Sequence, residues 1–298
     1  MSLLSKVGRA VRHPWQIHFG RVLEQVWTKV VPLTFVQSLQ WDKLERTWLA
    51  YGVLHAALEA KALGLPAISV VEFGVAGGSG LLLLEEYAEE VERITAVQCH
   101  VIGFDGGEGM PKPIDHRDLP YVWQPGFFRM DVDALKKRLR RAQLVIGNVA
   151  ETVPEFVAKS DTPPIGFVSF DLDFYWSTME AFRLFAHVSD RLLPRVFCYF
   201  DDCIGDDWEL HSSHAGELLA IADFNAQHPQ RKIAPIYGLR HKRRRPAAWN
   251  DMMFVMHCFD HGRYNDHVHP NRDWQLQLGR AGDATRLFAW LAMSATIA

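Results

Sequence analysis

Cysteines are few in this chain, and none stands in a metal-binding pattern. The four, Cys99, Cys198, Cys203 and Cys258, show no CxxC or related spacing, so a cysteine-caged zinc or iron site has no support. Cys198 and Cys258 lie inside apolar runs and read as buried free thiols, which points to a reducing cytoplasm. An excess of one charge is also missing. The formal net charge is −3 over 298 residues, so nothing global favours nucleic acid or an anionic membrane. No uncharged apolar stretch approaches the roughly 20 residues of a spanning helix. The basic start, MSLLSKVGRAVRHPW, has no apolar core of the secretory kind. Internal repeats and low-complexity tracts are absent as well. What is present is 48% hydrophobic and 22% charged residues, ordinary for a globular protein and enough chain for one large domain with appendages or two small ones.

Periodicity divides the chain. Residues 1–65 read as helical; in Trp41–Leu63 the residues Leu44, Trp48, Tyr51, Leu54 and Leu58 share one face, and Gly64 and Pro66 end it. From residue 68 strand and helix patterns alternate: strands near 68–75, 100–107, 143–149, 165–172 and 195–202, with helical stretches between them, including one spanning STMEAFRLFAHVSDRLLP. Such alternation predicts βαβ units and a largely parallel sheet. The final strands, near 232–237 and 251–259, lack a helix-length connection and should pair antiparallel. The charge run HKRRRP, 241–246, between them reads as a solvated hairpin loop, with a grip on an anionic substrate as the lesser reading. The expected organisation is an amino-terminal helical lid or dimerisation segment (1–66), a Rossmann-like domain (67–262) and a tail with a short helix (263–298). The apolar end LFAWLAMSATIA, 287–298, is too short to span a membrane and reads as a packed helix or oligomer contact.

Three apolar runs end in acids or glycines at the carboxyl edge, where open α/β sheets bind ligands. In ISVVEFGVAGGSG, Gly74, Gly77, Gly78 and Gly80 follow a strand and precede a helix. They let a ligand approach the backbone and meet free N–H groups at the helix start. The spacing is not GxGxxG, and no Lys-Ser or Lys-Thr makes it a P-loop. Glu72, two residues before the first glycine, would repel a pyrophosphate but pair with an ammonium group, so a cofactor with an amino-acid end fits better than NAD or ATP. Asp105, in IGFDGGEGMP, is placed to accept both hydroxyls of a ribose. Asn148, in IGNVAETVP, could reach an adenine edge.

Asp171 ends the strand of IGFVSFDLDF, and Asp201 and Asp202 end that of RVFCYFDDC. On neighbouring strands these three converge. They repel one another unless a cation compensates, and an all-oxygen site suits Mg²⁺ or another hard divalent ion. Asp173, two residues beyond Asp171, faces inward or opens the loop. His211, His214 and His257 are, with Asp173, the candidates for a base; His257 lies in an apolar strand and reads as a core histidine. The aromatic loop at 112–128 is a candidate wall of an acceptor pocket.

VVEFGVAGGSG, FDGGEGMP, FDLDFYWSTMEAF and FDDC, in this order, resemble the class I S-adenosylmethionine-dependent methyltransferases, and most closely the metal-dependent macrocin O-methyltransferase group. The resemblance spans about residues 68–205. It implies a Rossmann-like, doubly wound, mostly parallel seven-stranded sheet with an antiparallel last strand, preceded by amino-terminal helices. It implies that Glu72, Gly74, Ala76 and Gly80, with Gly78 in the same turn, border the methionine end of S-adenosylmethionine and that Asp105 holds its ribose. It implies Asp171, Asp201 and Asp202 as ligands of Mg²⁺. The sequence departs from the group after Asp202, where Cys203, Ile204 and Gly205 follow, and at Trp176, where the group commonly has Glu. The expected activity is O-methyl transfer to a small polyhydroxylated or natural-product hydroxyl acceptor by a homo-oligomeric enzyme. An NAD-type oxidoreductase and a non-catalytic cofactor-binding protein are the alternatives.

Overall fold

Seven strands form one sheet in the order β3-β2-β1-β4-β5-β7-β6. The structure is a computed structural model that describes residues 32–273, except 160, 187 and 188, and residue 275. The expected helices within 1–31 and in the tail at 287–298 lie outside the described residues. The elements are α1 (Phe35–Gln40), α2 (Thr47–Ala62), β1 (Ala67–Phe73), α3 (Ser79–Thr95), β2 (Gln98–Asp105), α4 (Val132–Arg138), β3 (Gln143–Ile146) and α5 (Val149–Lys159). They continue with β4 (Ile165–Phe170), α6 (Tyr175–Ala181), β5 (Leu192–Phe200), α7 (Gly216–Gln227), β6 (Arg231–Pro235), α8 (Leu239–Lys242) and β7 (Met253–Cys258). The chain divides into two units, residues 1–38 and 39–298. The break precedes α2, and α2 lies on the sheet beside α3.

Strands β1 to β5 pair in parallel. β7 runs antiparallel to both β5 and β6. This is the doubly wound Rossmann-like sheet with an antiparallel last strand. β4 is buried along its whole length, as expected of a central parallel strand covered on both faces. α2 and α3 pack against each other and against one face; α5, α6 and α7 cover the other.

A row of phenylalanines runs across the sheet. Phe104, Phe73, Phe170 and Phe200 sit in register on β2, β1, β4 and β5. Their rings stack in sequence, with centroids 4.9, 5.5 and 4.6 Å apart. Each is the residue immediately before the ligand edge: Gly74, Asp105, Asp171 and Asp201 follow them. The aromatic row therefore fixes the level at which those four residues emerge.

Two expected helices are shorter than their patterns. The stretch from Trp41 becomes helical only at Thr47, because Trp41 and Asp42 are held elsewhere: Arg244 lies over the Trp41 ring at 4.7 Å and the Trp249 indole N–H donates to Asp42 at 2.9 Å. STMEAFRLFAHVSDRLLP is α-helical only to Ala181; Phe182–Ala186 tightens to 3₁₀ geometry and β5 begins at Leu192. There Phe182, Leu184 and Phe185 are all buried, so packing overrides the helix preference of the segment. The basic run is not only a solvated loop. Arg243 lies over the rings of Tyr51 and Trp249 and donates to the Leu39 carbonyl, while Arg240 pairs with Asp251. Among the described residues no helix is long and apolar enough to cross a membrane.

Candidate functional site

The carboxyl ends of β1, β2, β4 and β5 open into a cavity of about 690 Å³. Gly74, Ala76, Asp105, Asn148, Asp171, Asp173, Asp201 and Asp202 all line it. Residues from five separate sequence segments thus meet in one space, at the edge where doubly wound sheets bind ligands.

Backbone geometry at the first turn requires glycine. Gly74 has φ +81°, and a Cβ there would lie 1.8 Å from the Asp171 carbonyl oxygen. A side chain is excluded on both counts, so β1 and β4 close to backbone contact at the site. Gly78 (φ +81°) precedes α3. Gly80 faces Glu72: a Cβ on it would come within 1.9 Å of Glu72 Oε1. Glu72 is 3% exposed, and its Oε2 has no hydrogen-bond partner. Burial first, then the Asp171 and Asp105 charges, push its carboxyl up to about 8, against a lowering by Arg46. A buried carboxylate with an unused oxygen is costly and marks a place for a donor.

Asp105 is held from two sides. One oxygen accepts from the Ala76 N–H at 2.8 Å and the other from the Gly107 N–H at 2.6 Å. Its orientation is therefore set by the turns after β1 and β2 before any ligand arrives. Asn148 caps α5, its side-chain oxygen accepting from the Ala150 N–H at 2.9 Å, while it also borders the cavity.

Oxygens of Asp171, Asp173 and Asp202 lie within 4.8 Å of one another. Asp201, expected as the third ligand, is outside that group of three, where Asp173 stands instead; it borders the same cavity, with Oδ1 accepting from the Tyr199 hydroxyl at 2.7 Å. Asp173 has φ +59°, a left-handed conformation that Asp adopts more readily than most residues. Its N–H donates to Asp202 Oδ2 at 2.7 Å, and the Asp202 N–H donates to Glu217 Oε2 at 3.2 Å. Glu217, fully buried in the first turn of α7, leaves Oε1 without a partner. Burial is the leading cause that raises these acids, followed by mutual repulsion: Asp171 to about 8 and Asp173 to about 7. Asp202 and Glu217 are pushed well above the carboxylate range by burial and by their acidic neighbours. A hard divalent cation suits this set, because the donors are all oxygen, they converge, and their negative charge lacks compensation.

The histidine candidates are spread apart. His211 is buried behind Glu209, its Nε2 3.1 Å from Glu209 Oε2, and Glu209 rather than His211 lines the cavity. His214 is exposed on the following loop. His257 pairs across to Arg195 near the start of β5, away from the acids, and its Nδ1 lies 2.9 Å from the Tyr264 hydroxyl.

The aromatic loop at 112–128 contributes Trp123 and Phe128 to the wall, and Tyr121 ties it to the next loop by donating to the Glu209 carbonyl at 2.8 Å. Two participants had no sequence signal. Glu217 follows no strand, and Arg46, which lines the cavity, stands within an apparently helical stretch.

No family model and no curated protein matches the chain. Among solved structures it is similar to the calicheamicin methyltransferase CalS11, at 21% identity over 86% of this chain and 98% of that one, with a TM-score of 0.48. It is similar to the O-methyltransferase NovP at 11% identity, covering 70% of this chain and 78% of that one, TM-score 0.48. An O-methyltransferase from Bacillus cereus in complex with SAH matches at 11% identity over 79% and 96%, TM-score 0.37. At these identities, and with TM-scores below 0.5, the likenesses leave the function to be argued from the chain's own residues.

Proposed function

We propose that this protein is an S-adenosylmethionine-dependent, Mg²⁺-assisted O-methyltransferase acting on a hydroxyl of a small polyhydroxylated or natural-product molecule. The observation that carries the reading is the buried carboxyl of Glu72 on β1, with an unpartnered oxygen, just before the turn whose Gly74 and Ala76 line the cavity with Asp105 and the acid cluster. The α-ammonium of an amino-acid moiety supplies the donor that Oε2 lacks and favours the ionised carboxylate, which a nucleotide pyrophosphate cannot do. Asp105, oriented by two backbone N–H groups, keeps acceptor capacity for the ribose hydroxyls.

Asp171, Asp201 and Asp202 are the residues that would hold the cation, with Asp173 beside them. A divalent ion bound there would lower the pKa of an acceptor hydroxyl and favour oxygen as the nucleophile. Asp173 serves as the base in this reading, because it alone among the base candidates borders the cavity and has its backbone fixed by Asp202. The hydroxyl proton passes to an Asp173 carboxylate oxygen as the oxygen–methyl bond forms and the methyl–sulfur bond breaks. The sulfonium leaves as a neutral thioether. Holding both reactants in one cavity supplies most of the rate gain.

Calorimetry with S-adenosylhomocysteine tests the reading. The wild-type protein is expected to bind it, and Asp105→Ala to bind it roughly 1–3 kcal/mol more weakly, the scale of a hydrogen bond lost to a charged group. Binding of NADH without binding of S-adenosylhomocysteine would replace this function with the oxidoreductase reading.

A further inference from the structure

Arg46 lies immediately before α2, with φ +43° and ψ +55°. Seven acids line the cavity with it (Asp105, Glu108, Asp171, Asp173, Asp201, Asp202 and Glu209), and among the described lining residues it is the only Arg, Lys or His. Its guanidinium forms no ion pair with any described residue, although acids surround it. Its charge is nevertheless felt by two buried groups, Glu72 and Asp171, as the cation that counteracts the upward push on each. Arg46 shares the cavity lining with Gly74 and Ala76 of the β1 turn, just after Glu72 in sequence, and with Asp171 at the β4 end. Its neighbours Trp41 and Asp42 are pinned by Arg244 and Trp249, and Trp48 stacks on Tyr199 with ring centroids 5.0 Å apart, so the segment that carries it is anchored on both sides.

We propose that Arg46 binds the α-carboxylate of the cofactor's amino-acid end while Glu72 binds its α-ammonium, so that the two residues together select a zwitterionic amino-acid moiety. The inference rests on the cofactor reading above and extends it to a residue that reading does not use. The chemistry is complementary. Glu72 Oε2 is a buried acceptor without a donor, and Arg46 is a fork of donors with no ion-pair partner among the described residues. An amino acid presents an ammonium and a carboxylate on one carbon, which matches such a pair. Guanidinium groups bind carboxylates through two parallel hydrogen bonds, and an ammonium cannot copy that geometry. An Arg among seven acids could instead serve only to lower their repulsion, and the two roles differ in what a shortened ligand does.

The test uses the full chain and two ligands: S-adenosylhomocysteine, and 5′-methylthioadenosine, which keeps the adenosine and sulfur but has no amino-acid end. Wild type, Arg46→Gln and Arg46→Lys are titrated with each. The expected result is a loss of about 10- to 100-fold for S-adenosylhomocysteine in R46Q, the range of a hydrogen bond to a charged group. R46K recovers part of that loss. For 5′-methylthioadenosine the three proteins differ by less than about 3-fold, which also shows that each variant is folded. Equal losses for both ligands would make Arg46 a structural counter-ion and overturn the proposal. So would unchanged affinity of R46Q for S-adenosylhomocysteine, or a wild type that binds the two ligands equally well. If the wild type binds neither ligand, the cofactor reading itself fails and this inference with it, an outcome visible before any variant is compared.

Discussion

Turnover on a hydroxyl acceptor is expected to fall at least roughly 10³-fold in excess EDTA and to return with added Mg²⁺. The figure corresponds to about 4 kcal/mol of transition-state stabilisation, within what a bound cation supplies at a developing alkoxide. The structural ground is the convergence of Asp171, Asp173 and Asp202 oxygens within 4.8 Å, with Asp201 at the same cavity. Asp202→Asn should reproduce the loss, and EDTA should then have little further effect, because chelation and the substitution remove the same site. S-adenosylhomocysteine affinity should change less than about 3-fold in that variant, since Asp202 stands at the β5 end rather than at the β1 turn. Undiminished turnover in EDTA would leave the acids without a metal role and pass the whole deprotonation to Asp173.

Without ligand and divalent ion, the protein should lose stability as pH rises from about 6.5 to 8.5. Glu72 and Asp171 are pushed up to about 8 and Asp173 to about 7, by burial first and neighbouring charge second. In the unfolded chain these carboxyls ionise near 4. Between the two values the folded state binds more protons than the unfolded one, so unfolding free energy falls with pH until the folded values are passed. The stability these groups contribute is complete below about pH 4 and is lost as pH climbs through 7 and 8. Below pH 6.5 buried His55, held down near 4 by desolvation, works in the opposite sense. A folded value below the unfolded one means stability is lost as the medium is acidified, which is why the upper window is the clean one. In a thermal melt the expected fall is on the order of 5 °C across that window, and saturating Mg²⁺ should flatten or reverse it by binding the ionised acids. A Tm that rises with pH in metal-free buffer would mean the acids are compensated inside the protein.

The acids were legible in the sequence for a physical reason. A parallel strand buried on both faces is a short apolar run, and the first residue past its end must face solvent or a ligand. Asp105, Asp171 and Asp201 each follow a phenylalanine, and the register of Phe104, Phe170 and Phe200 on neighbouring strands brings all three to one level. The glycine turn was legible because φ +81° at Gly74 and the closeness of Asp171 tolerate no side chain. Arg46 was not legible. Propensity continues the α2 helix back to Trp41, but Asp42 and Arg46 both take left-handed φ, and residues about 200 positions later, Arg244 and Trp249, hold Trp41 and Asp42. Glu217 was hidden likewise: an acid in the first turn of an amphipathic helix ordinarily faces water, and only the approach of the β5 end buries this one. His211 and His214 stand on a loop, where no periodic pattern tells which side chains face the cavity; Glu209 of the same loop lines it.

A crystal structure grown with S-adenosylhomocysteine and Mg²⁺ tests the central claim most directly. The predicted result has the amino-acid end against Glu72, the ribose hydroxyls on Asp105, and one ion coordinated by oxygens of the Asp171, Asp201 and Asp202 group. A ligand bound elsewhere on the protein, or the 690 Å³ cavity filled only by solvent at saturating ligand, would contradict it.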